Sequence, residues 1–157
     1  MHRGEIMAIG EYCCREIVAA SPTDSVAVAA RLMRDYHVGD LVLVEPTDDG
    51  NFVPVGIITD RDIVLDLVAN DESDLSRMAV GDFQRRELIT VQEQEDVFDV
   101  IAKMRRGGVR RLPVVDERGV LVGIIAADDL LGVLADGLRD LARLATYQGR
   151  LEADQQP

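Results

Sequence analysis

Apolar positions along the chain follow two different periods, and each period points to a kind of element. Short, nearly continuous apolar runs at 41–44, 52–58, 112–115 and 121–125 read as strands covered on both faces. Between them Val26, Ala29, Ala30 and Met33 recur at helical spacing, as do Val97, Val100, Ile101 and Met104. Pro22-Thr23-Asp24 is expected to open the first helix and Glu95-Asp96 the second, with acid in the first turn suiting the helix dipole. Gly107-Gly108 reads as the end of the second helix, and His37, next to Tyr36, as a helix-end residue of the first. Short strands at 17–18 and 88–91 precede the helices. Asp48-Asp49-Gly50 and Glu117-Arg118-Gly119 carry turn chemistry, and further helices begin near Asp60 and near Ala127.

The pattern occurs twice. IGEYCCREIVAA at 9–20 aligns with VGDFQRRELITV at 80–91, and the register continues through Val26/Val97, Met33/Met104, Val38/Val109 and Leu41/Leu112. After a longer turn in the first copy, GIITDRDIV at 56–64 faces GIIAADDLL at 123–131. The expected fold class is α/β (α+β), two tandem β-α-β-β-α repeats. They span 8–69 and 80–137, joined by a polar linker at 70–79. One repeat is too small to bury its apolar strands alone. The two are therefore expected to pack sheet to sheet about a pseudo-two-fold axis. Leu130, Leu134, Leu138, Leu141 and Leu144 carry an amphipathic helical extension over 138–151, and the tail at 152–157 is expected to be disordered.

Charge narrows the partners. Seventeen basic against 29 acidic residues leave a net charge of −12, which repels nucleic acid and anionic membranes. No apolar run reaches the roughly 18 residues of a membrane span, and the first residues carry no signal-like apolar stretch. Cys13 and Cys14 are adjacent, so no disulfide framework is expected and a reducing cytoplasm is the simplest compartment. Two histidines without Cys–His spacing give no zinc motif. The paired acids Asp60/Asp62 and Asp128/Asp129 make a weak cation site without a phosphate to share the ion. No catalytic residue and no metal ligand is assigned.

The β-α-β-β-α unit ending in GIITDRDI at 56–63, with RRLPVVD at 110–116 followed by GII at 123–125, resembles the cystathionine-β-synthase (CBS) domain. The two copies together resemble a CBS pair, or Bateman module, over residues 8–137, and the chain is similar to free-standing bacterial CBS-pair proteins. The resemblance implies an adenosyl ligand in a cleft between the repeats. Asp62 and Asp129 would hold ribose hydroxyls, with Thr59 beside the first and Ala126 lacking that hydroxyl at the second. Residues just before the second strand of each repeat would meet phosphate and adenine: Val38, Gly39 and Asp40 in one copy, Val109, Arg110 and Arg111 in the other. Ile57 and Ile124 complete the candidate ligand-binding set. The Asp129 cleft is expected to own the two arginines and so to attract a phosphorylated ligand, whereas Asp40 would repel one from the Asp62 cleft.

From spacing alone Thr59-x-x-Asp62 also reads as a capping box, and Arg110-Arg111 as a solvated basic step. The expected function is a non-catalytic regulatory module taking AMP, ADP, ATP, NAD or S-adenosylmethionine, with no required cofactor. The alternative is a ligand-independent interaction module docking on a partner through its apolar helices. A homodimer and an unidentified regulated protein are the expected partners.

Overall fold

The computed structural model describes residues 7–70, 77–83 and 87–153, apart from the side chains of 70 and 146–153. The first repeat contains β1 (Ala19–Ala20), α1 (Val26–Tyr36), β2 (Asp40–Pro46), β3 (Phe52–Thr59) and α2 (Asp60–Asn70). The second contains β4 (Val91–Gln92), α3 (Val97–Gly107), β5 (Arg111–Val115), β6 (Leu121–Ala126) and α4 (Ala127–Ala153). Each repeat forms a three-stranded sheet in chain order, the first pair parallel and the second antiparallel. Both antiparallel pairs carry a register shift at the same place, Leu43/Val44 and Val114/Val115. No described helix is long and apolar enough to cross a membrane.

The first strands lie later than their apolar residues suggest. β1 starts at Ala19, and Val18 reaches the ladder only by accepting from the Val42 amide at 3.2 Å. β4 starts at Val91, leaving 88–90 as an extended lead-in. The apolar lead-ins serve packing: Val18 lies against the first core and Ile89 against the second. Helix α1 also starts later than Pro22-Thr23-Asp24 implies. Ser25 is its N-cap, accepting from the Val28 amide, and no acid lies in its first turn. Asp24 instead accepts from the Ser21 amide at 2.8 Å, closing a turn ahead of the helix. Asp96 caps α3 as expected, accepting from the Phe98 amide at 2.9 Å. Both helices end in the left-handed region, at His37 (φ 55°) and Gly108 (φ 61°), and each cap amide closes on the last turn.

Leu41 and Leu43 of β2, Ile58 of β3 and Ala29 and Met33 of α1 form the first core. Leu112 and Val114 of β5, Ile125 of β6 and Val100 and Met104 of α3 form the second. Val42 and Val44, on the opposite face of β2, are buried too, so both faces are covered as the sequence implies. β3 meets β6 where the two sheets face each other.

The lead-in to each repeat packs on the other repeat. Ile9, in a 3-10 turn at Ile9–Glu11, is fully buried in the second core, while Val80 and Phe83, from the 3-10 turn at Val80–Phe83, belong to the first. The Ile9 and Gly10 amides donate to the Glu95 and Glu93 carbonyls, and the Val80 and Gly81 amides to those of Asp24 and Pro22. Cys14 and Ile124 exchange two backbone bonds at 2.8 and 2.9 Å, extending the β6 edge. This approach requires glycine: a Cβ on Gly81 would sit 2.9 Å from the Pro22 carbonyl oxygen, and one on Gly123 would sit 2.6 Å from Cys13 Sγ. The sequence pattern does not show these two turns.

Helix α4 runs through Ala153, past the expected end at 151, and 154–157 lie outside the described residues. Leu130 is buried, while Leu131, Leu138, Leu141 and Leu144 stand more than 60% exposed.

Gly81→Val and Gly123→Val are each expected to lower stability by roughly 1–3 kcal/mol through forced displacement of the exchanged lead-ins. Gly132→Val, open to solvent on α4, is the control. Chemical denaturation of the three variants checks this.

Candidate functional site

β3 ends at Thr59 and α2 begins at Asp60, so a strand end and a helix start share one corner. Thr59 Oγ1 accepts from the Asp62 amide at 3.1 Å. Asp62 Oδ2 accepts from the Thr59 amide at 3.1 Å and from its hydroxyl at 2.7 Å. The capping box is therefore formed. It occupies one carboxylate oxygen, and Oδ1 has no donor among the described residues. In the second repeat Ala126 removes the hydroxyl, and Asp129 Oδ2 keeps only the Ala126 amide at 3.0 Å. In both repeats the residue before the second strand is pinned to the helix start. Gly39 O accepts from the Asp60 amide at 3.0 Å, and Arg110 O from the Ala127 amide at 2.8 Å.

A cleft of about 820 Å³ lies between the repeats, within the size range of small-molecule sites. Gly39, Ile57, Thr59 and Asp62 line it from the first repeat, and Val109, Arg110 and Arg111 from the second. The ribose motif of the first repeat and the arginines of the second, expected in separate clefts, here line the same one. The residues before β5 face the helix start of the first repeat, a relation that arises from the packing of the two repeats. Four candidates do not line this cleft. Val38 packs on the first core, Ile124 pairs with Cys14, Asp129 holds Ala126, and Asp40 pairs with Arg111.

The charges interlock across the repeats. Arg111 Nε lies 3.1 Å from Asp40 Oδ1, with side chains 45% and 10% exposed. Burial pushes the Asp40 carboxyl above its usual range, Arg111 opposes this, and Asp60 adds to it. Asp40 therefore does not stand as a bare charge against an incoming anion. Arg110 reaches Asp128 at 3.1 Å on the surface, a pair worth little in itself.

Arg61 lines the same cleft and has no carboxylate partner among the described residues. Arg61 sits inside the Thr59-x-x-Asp62 motif, where its own residue type carries no signal along the chain. Glu87, Leu88 and Ile89 also line the wall; Leu88 and Ile89 fall in the run expected as a strand over 88–91, and the shortness of β4 frees them. Among the described residues no three of His, Cys, Asp and Glu gather into a metal site. Cys13 packs beside Gly123, and burial pushes its thiol up, against Arg15.

Two repeats facing each other across a shared cleft, with a strand-to-helix corner from one and arginines from the other, define a tandem-repeat module with an inter-repeat cleft. The CBS domain model matches residues 9–69 and 80–136, and the chain belongs to that family. It is 34% identical over 127 residues to the uncharacterized protein MK0525 of Methanopyrus kandleri, covering 81% of this chain and 62% of that protein. With the inosine-5'-monophosphate dehydrogenase of Thermoplasma acidophilum it is 33% identical over 117 residues, 74% of this chain but 21% of the enzyme. The CBS domain protein PAE2072 of Pyrobaculum aerophilum, complexed with AMP, superposes with a TM-score of 0.68 at 27% identity, covering 83% of this chain and 99% of that one. The CBS domain pair of protein MJ0100, in complex with 5'-methylthioadenosine and S-adenosyl-L-methionine, gives 0.69 at 25% identity, covering 84% and 98%.

Because the folded pKa of Asp40 is raised, its protonated form is favoured in the native state. The associated stability is present at low pH and is lost as pH rises through the folded pKa. Asp40→Asn is therefore expected to gain stability relative to the native chain as pH rises past 3.8, with no gain below that range. Urea denaturation across that interval reads the difference.

Proposed function

We propose that the chain is a non-catalytic regulatory module that binds an adenosyl ligand in the cleft between its repeats. The observation that carries this reading is the gathering of Thr59, Asp62 and three arginines in one cleft. Asp62 Oδ1 is free to accept from a ribose hydroxyl while Oδ2 keeps the helix cap, so binding need not cost the cap. Gly39 and Val109 frame the same opening, and Ile57 offers an apolar wall for a base. The adenosyl ligands of PAE2072 and MJ0100 support this choice of ligand class. The match to the dehydrogenase covers only a fifth of that enzyme, which supports a role apart from catalysis. The Asp129 corner is a second candidate, poorer by one hydroxyl.

AMP is expected to raise the melting temperature by mass action. Asp62→Ala should weaken AMP roughly ten- to a hundredfold, since a charge-assisted hydrogen bond is worth roughly 1.5–3 kcal/mol. Titration calorimetry with AMP, ATP, NAD and S-adenosylmethionine checks both, and no heat with any of them at millimolar concentration would remove the reading.

A second reading, docking on a partner protein without ligand, draws on the exposed apolar residues Val64, Leu65 and Val68 of α2 and those of α4. On α4, Leu131, Leu134, Leu138 and Leu141 follow three- and four-residue steps along one face, and Asp136, Arg139, Asp140 and Arg143 pair on the other. We read that stripe as the contact with a second copy in a homodimer of this cytoplasmic protein. Light scattering is expected to give about twice the 17.3 kDa chain mass, and Leu138→Glu with Leu141→Glu should return it to one. A monomer before substitution would overturn the dimer.

A further inference from the structure

Arg111 lines the cleft, yet its guanidinium makes no hydrogen bond to a protein group among the described residues; it is held at 3.1 Å from Asp40 by charge. Its planar fork suits a phosphate, and its donors are unspent. Asp40 comes from β2 of the first repeat and Arg111 from β5 of the second, so the pair spans the boundary that the cleft follows. We propose that Asp40 sets the cleft's selectivity between phosphorylated and neutral ligands by competing with the ligand's phosphate for Arg111. This rests on the adenosyl reading and adds to it a residue that does not itself line the cleft.

Three features favour competition over simple support. The Asp40 side chain is 10% exposed and poorly hydrated, so its ionised form is costly to keep. Asp60, on the first turn of α2, acts on it as a second carboxylate, and Arg111 is the cation that opposes the Asp40 charge. A phosphate entering from the solvent side carries more charge than a single carboxylate and can use the free fork of Arg111 bidentately. In the unliganded protein Asp40 keeps Arg111 neutralised, so a neutral adenosyl compound meets no excess charge. A phosphate must share the charge of Arg111 with Asp40.

AMP and adenosine are the probes, titrated calorimetrically into the native chain, Asp40→Asn, Arg111→Gln and the double variant, with melting curves to confirm folding. Asp40→Asn is expected to tighten AMP by on the order of tenfold, the effect of deleting one nearby negative charge in a partly buried site. Adenosine should change by less than about twofold. Arg111→Gln should weaken AMP, leave adenosine alone and abolish the gain from Asp40→Asn. Asp40→Ser carries the same expectation if Asp40→Asn does not fold. Equal or weaker AMP binding in Asp40→Asn, with adenosine still bound, overturns the competition and leaves the adenosyl reading standing. Adenosine and AMP both failing on the native chain overturns the two together.

Discussion

Ile9 is fully buried in the core of the second repeat, and Val80 and Phe83 are buried in the core of the first. Neither repeat closes on its own residues. The exchange explains why a unit of this size is stable at all. A small sheet with one or two helices buries too little, and borrowing a lead-in adds apolar area and pairs backbone groups at an open edge. The fit is steric as well as apolar. Gly81 and Gly123 stand where backbone or sulfur approaches too closely for a side chain. Arg15 completes the joint in the second repeat, reaching the carbonyls of Gly10 and Val122 and the carboxylate of Glu93.

The cleft follows from that exchange. With the repeats held face to face, the start of β5 lies opposite the β3–α2 corner, and residues remote in sequence become neighbours. Three arginines then share a wall with Asp60, Asp62 and Glu87. The charges balance there, although the whole chain carries −12. Local pairing, rather than the net charge, governs what an anion meets. The Thr59–Asp62 box shows how one group can serve structure and binding together, since a carboxylate has more acceptor sites than a helix cap uses.

Helix α4 obeys a different constraint. Leu130 belongs to the second core, and beyond it the helix leaves the sheet with Leu131, Leu138, Leu141 and Leu144 in solvent. Apolar spacing alone cannot tell core cover from an outward stripe, because both need the same period. The length of the helix against the small sheet beneath it decides the matter.

Repetition, the β-α-β-β-α order and most strand limits were legible in the sequence, since period and turn chemistry act locally and every residue of an element must agree with them. The Thr59-x-x-Asp62 corner was legible for the same reason: its partners are three residues apart. The late starts of β1 and β4 were not, because Val18 and Ile89 are apolar chiefly for packing on the cores, and composition does not separate that from a ladder. Nor were the exchanged turns, whose residues look like loop until another repeat covers them. The site divided in the same way. Sequence assigned Arg110 and Arg111 to their own repeat's helix start, which Arg110 does touch, by its carbonyl on Ala127 and its side chain on Asp128. Tertiary structure put both in the first repeat's cleft and gave Arg111 to Asp40, because a side chain's partner is chosen by what packs across from it, and no local pattern along the chain encodes that distance.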